Sequence, residues 1–236
     1  MAFARLQSRF ARVFTQRCFY LFVSLLALVG AAPFVADLEH GRDFLNVAQV
    51  LVLVAAVAAM SHRPMPFVIA LLLGLPALGA QLFGVAGMDD PGRAAIVTNA
   101  FYLAFYVVAI IYLLAYVFTE DVMSDDKLFG AAAGYLMLGI GWAYAYALQQ
   151  RIDPAAFGAS EGQLRSFYEL LAMSFGLLTS NGPGDIVVTG IRVKALVILE
   201  QVVGTLFVAI LIARLAGLYP ARVREARERG DPIDGE

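Results

Sequence analysis

The residues whose types and spacing suit them to chemistry lie in one stretch, 166–185, SFYELLAMSFGLLTSNGPGD. Gly182, Pro183 and Gly184 break any regular element, and Thr179, Ser180, Asn181 and Asp185 crowd hydroxyl, amide and carboxylate oxygens around that break. A glycine-rich segment of this kind exposes successive backbone carbonyls. Preceded by the negative C-terminal end of a helix, it favours a partly dehydrated cation. A single loop cannot encircle an ion, so the chemistry is passive coordination shared among copies around an axis, most simply four.

The elements that position this stretch follow from local rules. Ser166 and Glu169 form an S-x-x-E capping box that starts a helix, and the glycine-proline break stops it. The helix is about twelve residues, or roughly 18 Å, which is short of the ~30 Å hydrocarbon thickness of a bilayer. It is therefore expected to enter a membrane and turn back.

The remainder of the chain has a membrane composition: 236 residues, 61% hydrophobic and 15% charged. Apolar runs of spanning length fall at 18–36, 44–60, 67–83, 94–118, 128–148 and 193–218, which predicts an all-α membrane protein with six transmembrane helices. The re-entrant helix and its loop lie between the fifth and the sixth. Pro76, between Gly74 and Gly79, is expected to kink the third. The N-terminal Arg5, Arg9, Arg12 and Arg17 precede an apolar run longer than a signal peptide's core, with poor cleavage points, so the first run reads as an uncleaved helix. Placing both termini in the cytoplasm puts eleven of the seventeen Lys and Arg residues inside, and the hairpin then opens outward. The expected organisation is a basic N-terminus (1–17), a four-helix peripheral domain (18–118), a linker (119–127), a pore-like domain (128–219) and a charged cytoplasmic tail (220–236) that reads as a solvated helix end fraying into disorder.

Several function classes are disfavoured. The formal net charge of -2, without a basic surface interleaved with aromatics, argues against nucleic acid as a partner. Cys18 stands alone and forms no intrachain disulfide. The two histidines, His40 and His62, fall in loops on opposite sides of the expected membrane, which leaves no base or metal site for an enzyme. A secondary transporter predicts an inverted repeat, and only one half carries a hairpin. The fourth run has Arg93 at its edge and no arginine series, so voltage sensing by that route is not expected. Tyr112, Tyr116, Trp142, Tyr144 and Tyr146 read as interface anchors and packing.

The order of membrane helix, short helix, turn ending in Gly-Asp and last helix resembles the pore module of the potassium-channel superfamily, nearest its six-span bacterial members that lack a large cytoplasmic domain. On the family pattern TTVGYGD this chain reads Thr179, Ser180, Asn181, Gly182, Pro183, Gly184, Asp185, and Ser174-Phe175 falls where the family carries Ser-Phe in its pore helix. Leu199-Glu200 and the stretch 208–219 of the last helix are also similar, so the resemblance covers about 128–219. It implies a homotetrameric channel in the bacterial inner membrane that passes K+ or Na+, with no cofactor, no metal beyond the transported cations, and membrane lipids as the other partner. Asn181 and Pro183 replace the family's valine and tyrosine, which implies fewer ordered carbonyl sites and weaker potassium selectivity. The competing expectation is a non-conducting membrane protein that keeps the pore fold; a small transporter ranks behind it.

Outside the filter-like segment, Glu200 is an ionisable residue inside an apolar helix, expected to brace the back of the short helix. Asp185 either forms an acidic ring at the outer lip or caps its turn. Gly204 is read as a close-packing point or a hinge, and Phe207 to Leu211 as bulky residues able to gate by dewetting if that face lines the pore.

Overall fold

The computed structural model describes residues 17–35, 41–60, 64–83, 90–118, 125–158 and 163–229. His40, His62, the arginines before Arg17, part of the 119–127 linker and the last seven residues lie outside the described residues. Among the described residues there are seven α-helices, one 3-10 turn and no strand. The helices are α1 (Arg17–Val35), α2 (Gly41–Met60), α3 (Pro64–Phe83), α4 (Pro91–Phe118), α5 (Asp125–Ile152), α6 (Phe167–Leu178) and α7 (Ile191–Arg229), with the 3-10 turn at Pro154–Phe157.

Apolar runs with few breakers satisfy their backbone groups internally as helices, so the runs and the helices coincide and differ at their ends. α4 starts at Pro91 because Asp90 caps it: its side chain accepts from the Gly92 N–H at 2.8 Å and its carbonyl from the Ala94 N–H at 3.1 Å. Pro76 lies inside α3 without ending it. α7 continues helically past Pro220 to Arg229, so the charged tail is a helix end over that length. By length and composition, Pro91–Phe118, Asp126–Ile152 and Ile191–Arg214 can each cross a membrane. The apolar stretches Arg17–Ala31, Val47–Ala59, Val68–Gln81 and Phe167–Leu178 are shorter.

α5 is the central helix, packing against α1, α4, α6 and α7. Its alternation of alanine and glycine with aromatics lets neighbours approach closely while Tyr144 stacks on Tyr102 and Tyr106 of α4, at centroid distances of 4.8 and 5.6 Å. Tyr102, Phe105, Tyr106 and Tyr144 are buried, so Tyr144 is a core residue rather than an interface anchor. α7 differs from the other long helices. It buries one stripe, Val193, Glu200, Gly204 and Phe207, at helical spacing, and leaves Ile198, Leu199, Val202, Leu206 and Ile210 exposed.

Candidate functional site

α6 forms where the capping box places it. The Ser166 hydroxyl accepts from the Glu169 N–H at 3.2 Å, and the Glu169 carboxylate accepts from the Ser166 N–H at 2.7 Å. The Ser166 N–H holds the Glu169 carboxyl below its ordinary range, and Arg165 lies 3.2 Å from it. The start of α6 is also tied to the end of α5. The side-chain amide of Gln150 donates to the Arg165 carbonyl and accepts from the Arg165 N–H, both at 3.0 Å, as a neighbouring strand would. Nothing in the sequence marked Gln150 for this role, because the bond joins residues on two elements.

After twelve residues the helix hands its last carbonyls to the loop. Thr179 N–H donates to the Phe175 carbonyl and Ser180 N–H to that of Leu177, each at 3.0 Å. The N–H groups of Asn181 and Gly182 then converge on the Gly176 carbonyl, at 2.7 and 3.2 Å. Beyond this point φ is positive at every second residue: Ser180 at 60°, Gly182 at 93° and Gly184 at 64°. Alternating handedness keeps the segment from coiling on as a helix or pairing as a strand, and it is the backbone type that lines polar groups along an edge. Ser180 is the sole non-glycine residue in that region among the described residues, a conformation that costs a serine of order 1 kcal/mol.

The side chains of the segment face outward from the single chain. Thr179, Ser180, Asn181, Gly184 and Asp185 are exposed, and Gly182 and Pro183 are half-buried. The Thr179 hydroxyl donates back to the Phe175 carbonyl at 2.7 Å and accepts from the Asn181 amide at 2.9 Å. Asn181 thus turns its polar group to its own loop rather than inserting it into the packing behind α6. Among the described residues the Asp185 carboxylate makes no hydrogen bond that caps the turn, and the Ile186 N–H donates to the Pro183 carbonyl at 3.4 Å. The chain returns to α7 along the 3-10 turn, where the N–H groups of Thr189 and Gly190 donate to the Ala156 carbonyl at 3.0 and 3.3 Å.

Behind the loop a polar node joins three helices. Glu200 of α7 is fully buried; it accepts from the Tyr146 hydroxyl of α5 at 2.5 Å and is hydrogen-bonded to the Ser174 hydroxyl of α6. Ser174 also lies 2.8 Å from the Gly139 carbonyl of α5. The single serine proton faces two acceptors, and a carboxylic acid at Glu200 satisfies both contacts. A buried polar group costs little only when its partners are all present, so this node pins α5, α6 and α7 in one register. Tyr146, expected as an anchor or packing residue, is Glu200's hydrogen-bond donor.

Three close approaches complete the site. A Cβ on Gly139 would lie 2.6 Å from the Phe175 ring, so the Ser174-Phe175 pair is seated on this glycine by one hydroxyl and one ring. A Cβ on Gly176 would lie 2.4 Å from the Gly182 carbonyl oxygen, which is turned back toward α6. A Cβ on Gly204 would meet the Leu178 carbonyl oxygen at 3.0 Å, so α6 and α7 touch through backbone there. Phe207 faces inward onto Tyr135, with ring centroids 5.6 Å apart, and Leu211 packs beside Val117 and Ala131. Both belong to the chain's own packing, and the bare face of the same stretch carries Leu206 and Ile210. Comparison with family models, curated proteins and solved structures finds no match for this chain.

Proposed function

We propose that four copies of this chain form a cation channel of potassium-channel type, passing K+ or Na+ with weak discrimination through the loop 179–185. The observation that carries this reading is a short capped helix running into a loop of alternating φ sign, whose N–H groups turn back to the helix while its polar side chains stay exposed. An edge of this kind, beside an α7 whose apolar surface is left bare, is half of a site that other copies complete.

In this arrangement α6 is re-entrant and the other six helices span the cell membrane, with both termini cytoplasmic. The lengths of α1, α2 and α3, at 19, 20 and 20 residues, support spanning, since about 1.5 Å per residue brings each near the hydrocarbon thickness. Glu200 braces the filter from behind through Ser174, and exposed carboxylates at Asp185 would ring the outer lip and concentrate cations. Gating by dewetting belongs to Leu206 and Ile210 on the bare face rather than to Phe207 and Leu211. The protein needs no cofactor, catalyses no covalent chemistry, and meets lipid rather than nucleic acid.

One observation favours the second reading, a non-conducting protein of the same fold. The Gly182 carbonyl lies against Gly176, which removes one oxygen from the edge a potassium ion would need. Ion flux from proteoliposomes, wild type beside the double variant Asn181→Val, Pro183→Tyr, separates the alternatives. Channel function predicts K+ and Na+ fluxes of similar size from the wild type and a K+-selective double variant. Silence from intact wild-type tetramers would establish the non-conducting reading, and strong K+ preference in the wild type would refute weak selectivity.

A further inference from the structure

A cavity of about 490 Å³ lies away from the loop, where α1 to α6 meet. Its volume is in the range of small-molecule sites. Tyr102, Tyr144 and Phe167 build one wall, with Tyr144 stacked on Tyr102 at 14° between planes and 4.6 Å from the Phe167 centroid. Carboxamides from three different helices reach the cavity: Gln49 of α2, Gln81 of α3 and Asn99 of α4.

The polar groups there do not all serve the fold. In an apolar bundle the ordinary task of an amide is to join helices, and two of these do so, the buried Gln49 and the half-buried Gln81, while Asn99 is half-buried. Gln49 donates to the Tyr106 hydroxyl at 3.1 Å, and the Tyr102 hydroxyl donates to Gln81. Asn99 has no hydrogen-bond partner among the described residues, although its amide carries two donors and an acceptor. Thr98, one residue before it, spends its proton on the Ala94 carbonyl at 2.9 Å and keeps its oxygen as an acceptor toward the cavity. Among the described residues, no Asp, Glu, Lys, Arg or His lines the space. An ionic ligand would lose its hydration there without gaining a counter-charge, whereas a neutral one loses little.

We infer that this cavity is a binding site for an uncharged, planar, amphipathic small molecule, with an aromatic body against Tyr102, Tyr144 and Phe167 and an amide- or hydroxyl-like group on Asn99. Phe167 and Tyr168 belong to the first turn of α6, so the occupant touches the helix whose far end carries the loop. The site stands independently of whether the loop conducts.

The test uses the full chain in nanodiscs and three isosteric probes: indole-3-carboxamide, indole-3-carboxylate and 3-aminomethylindole. Calorimetry is expected to show saturable binding of the neutral carboxamide at one per chain, with both charged isosteres at least about tenfold weaker. Ala95→Trp fills the cavity and should abolish the binding. Asn99→Leu keeps the volume, removes the amide and should weaken the carboxamide about tenfold. The thermal midpoint of each variant, measured without probe, shows that it remains folded. Equal uptake by wild type and Ala95→Trp would mean partition into lipid and overturn the site. Absence of binding by wild type, preference for a charged isostere, or an acyl lipid found filling the purified chain would overturn it equally.

Discussion

Replacing Gly176 with alanine sets two physical effects against each other. Helix propensity alone favours the change, since alanine in a helix interior is about 1 kcal/mol better than glycine. The added Cβ, however, would sit 2.4 Å from the Gly182 carbonyl oxygen. An ordinary carbon–oxygen approach is about 3.3–3.6 Å, so the loop must withdraw by roughly 1 Å. That displacement takes the Asn181 and Gly182 N–H groups, now at 2.7 and 3.2 Å from the Gly176 carbonyl, to the limit of hydrogen bonding or beyond it. Overpacking costs about 1–3 kcal/mol and each lost hydrogen bond about 0.5–1.5, which leaves a net local loss of about 1–5 kcal/mol after the propensity gain. Amide hydrogen exchange at Asn181 and Gly182 reads this directly, and acceleration of at least about fivefold is expected. Gly79→Ala in α3, where an added Cβ meets nothing within 4 Å, serves as the control and should change neither amide. Unchanged exchange in Gly176→Ala at both amides would show that the loop is not docked on that carbonyl.

Three further outcomes follow from the same contacts. Glu200→Gln preserves every hydrogen bond of the node if a carboxylic acid occupies it, and should lie within about 1 kcal/mol of wild type, whereas Glu200→Ala strands Tyr146 and Ser174 and should cost about 3 kcal/mol or more; equal thermal midpoints for the two variants would contradict the node. Gly204→Ala should lower the midpoint by forcing α7 off Leu178, and wild-type stability with altered opening kinetics would make the position a hinge instead. The Glu169 carboxyl is held below its ordinary range when folded, so its contribution is present above the unfolded carboxyl range and is lost as pH falls through the lower folded value. Protection from exchange at the first turn of α6, taken relative to the intrinsic rate at each pH, should therefore fall on acidification in wild type and stay flat in Glu169→Gln; identical profiles would remove the capping box from the account.

Residues 166–185 were legible to different depths. The start of α6 could be placed from sequence because Ser166 and Glu169 satisfy each other's N–H groups, whereas its end at Leu178 precedes Gly182-Pro183-Gly184 and is closed by Ser180 at positive φ, with the Ser180 and Asn181 N–H groups on the Leu177 and Gly176 carbonyls. The apolar runs were legible for a similar reason, since an apolar segment has few backbone arrangements open to it. The face presented by α7 was not legible, because a helix apolar on all sides carries no periodic signal of which stripe it buries. Phe207 and Leu211 read as bulky residues able to gate only if their face lines the pore, and they complete the packing on Tyr135, Val117 and Ala131.

By itself the sequence determined where the helices lie, that α6 is short and capped, and that a broken polar loop follows it. Tertiary structure alone decided what stands behind that loop. Tyr146 and Glu200 are 54 positions apart, Ser174 and Glu200 are 26 apart, and Ser174 and Gly139 are 35 apart, so no local rule joins them. The same holds for Gln150 on Arg165 and for the cavity at Asn99, which residues of six helices line. Capping, breaking and apolar runs are governed by neighbours within a turn or two. Hydrogen-bond satisfaction and close approach depend on which distant groups the packing of α5 brings within 3 Å.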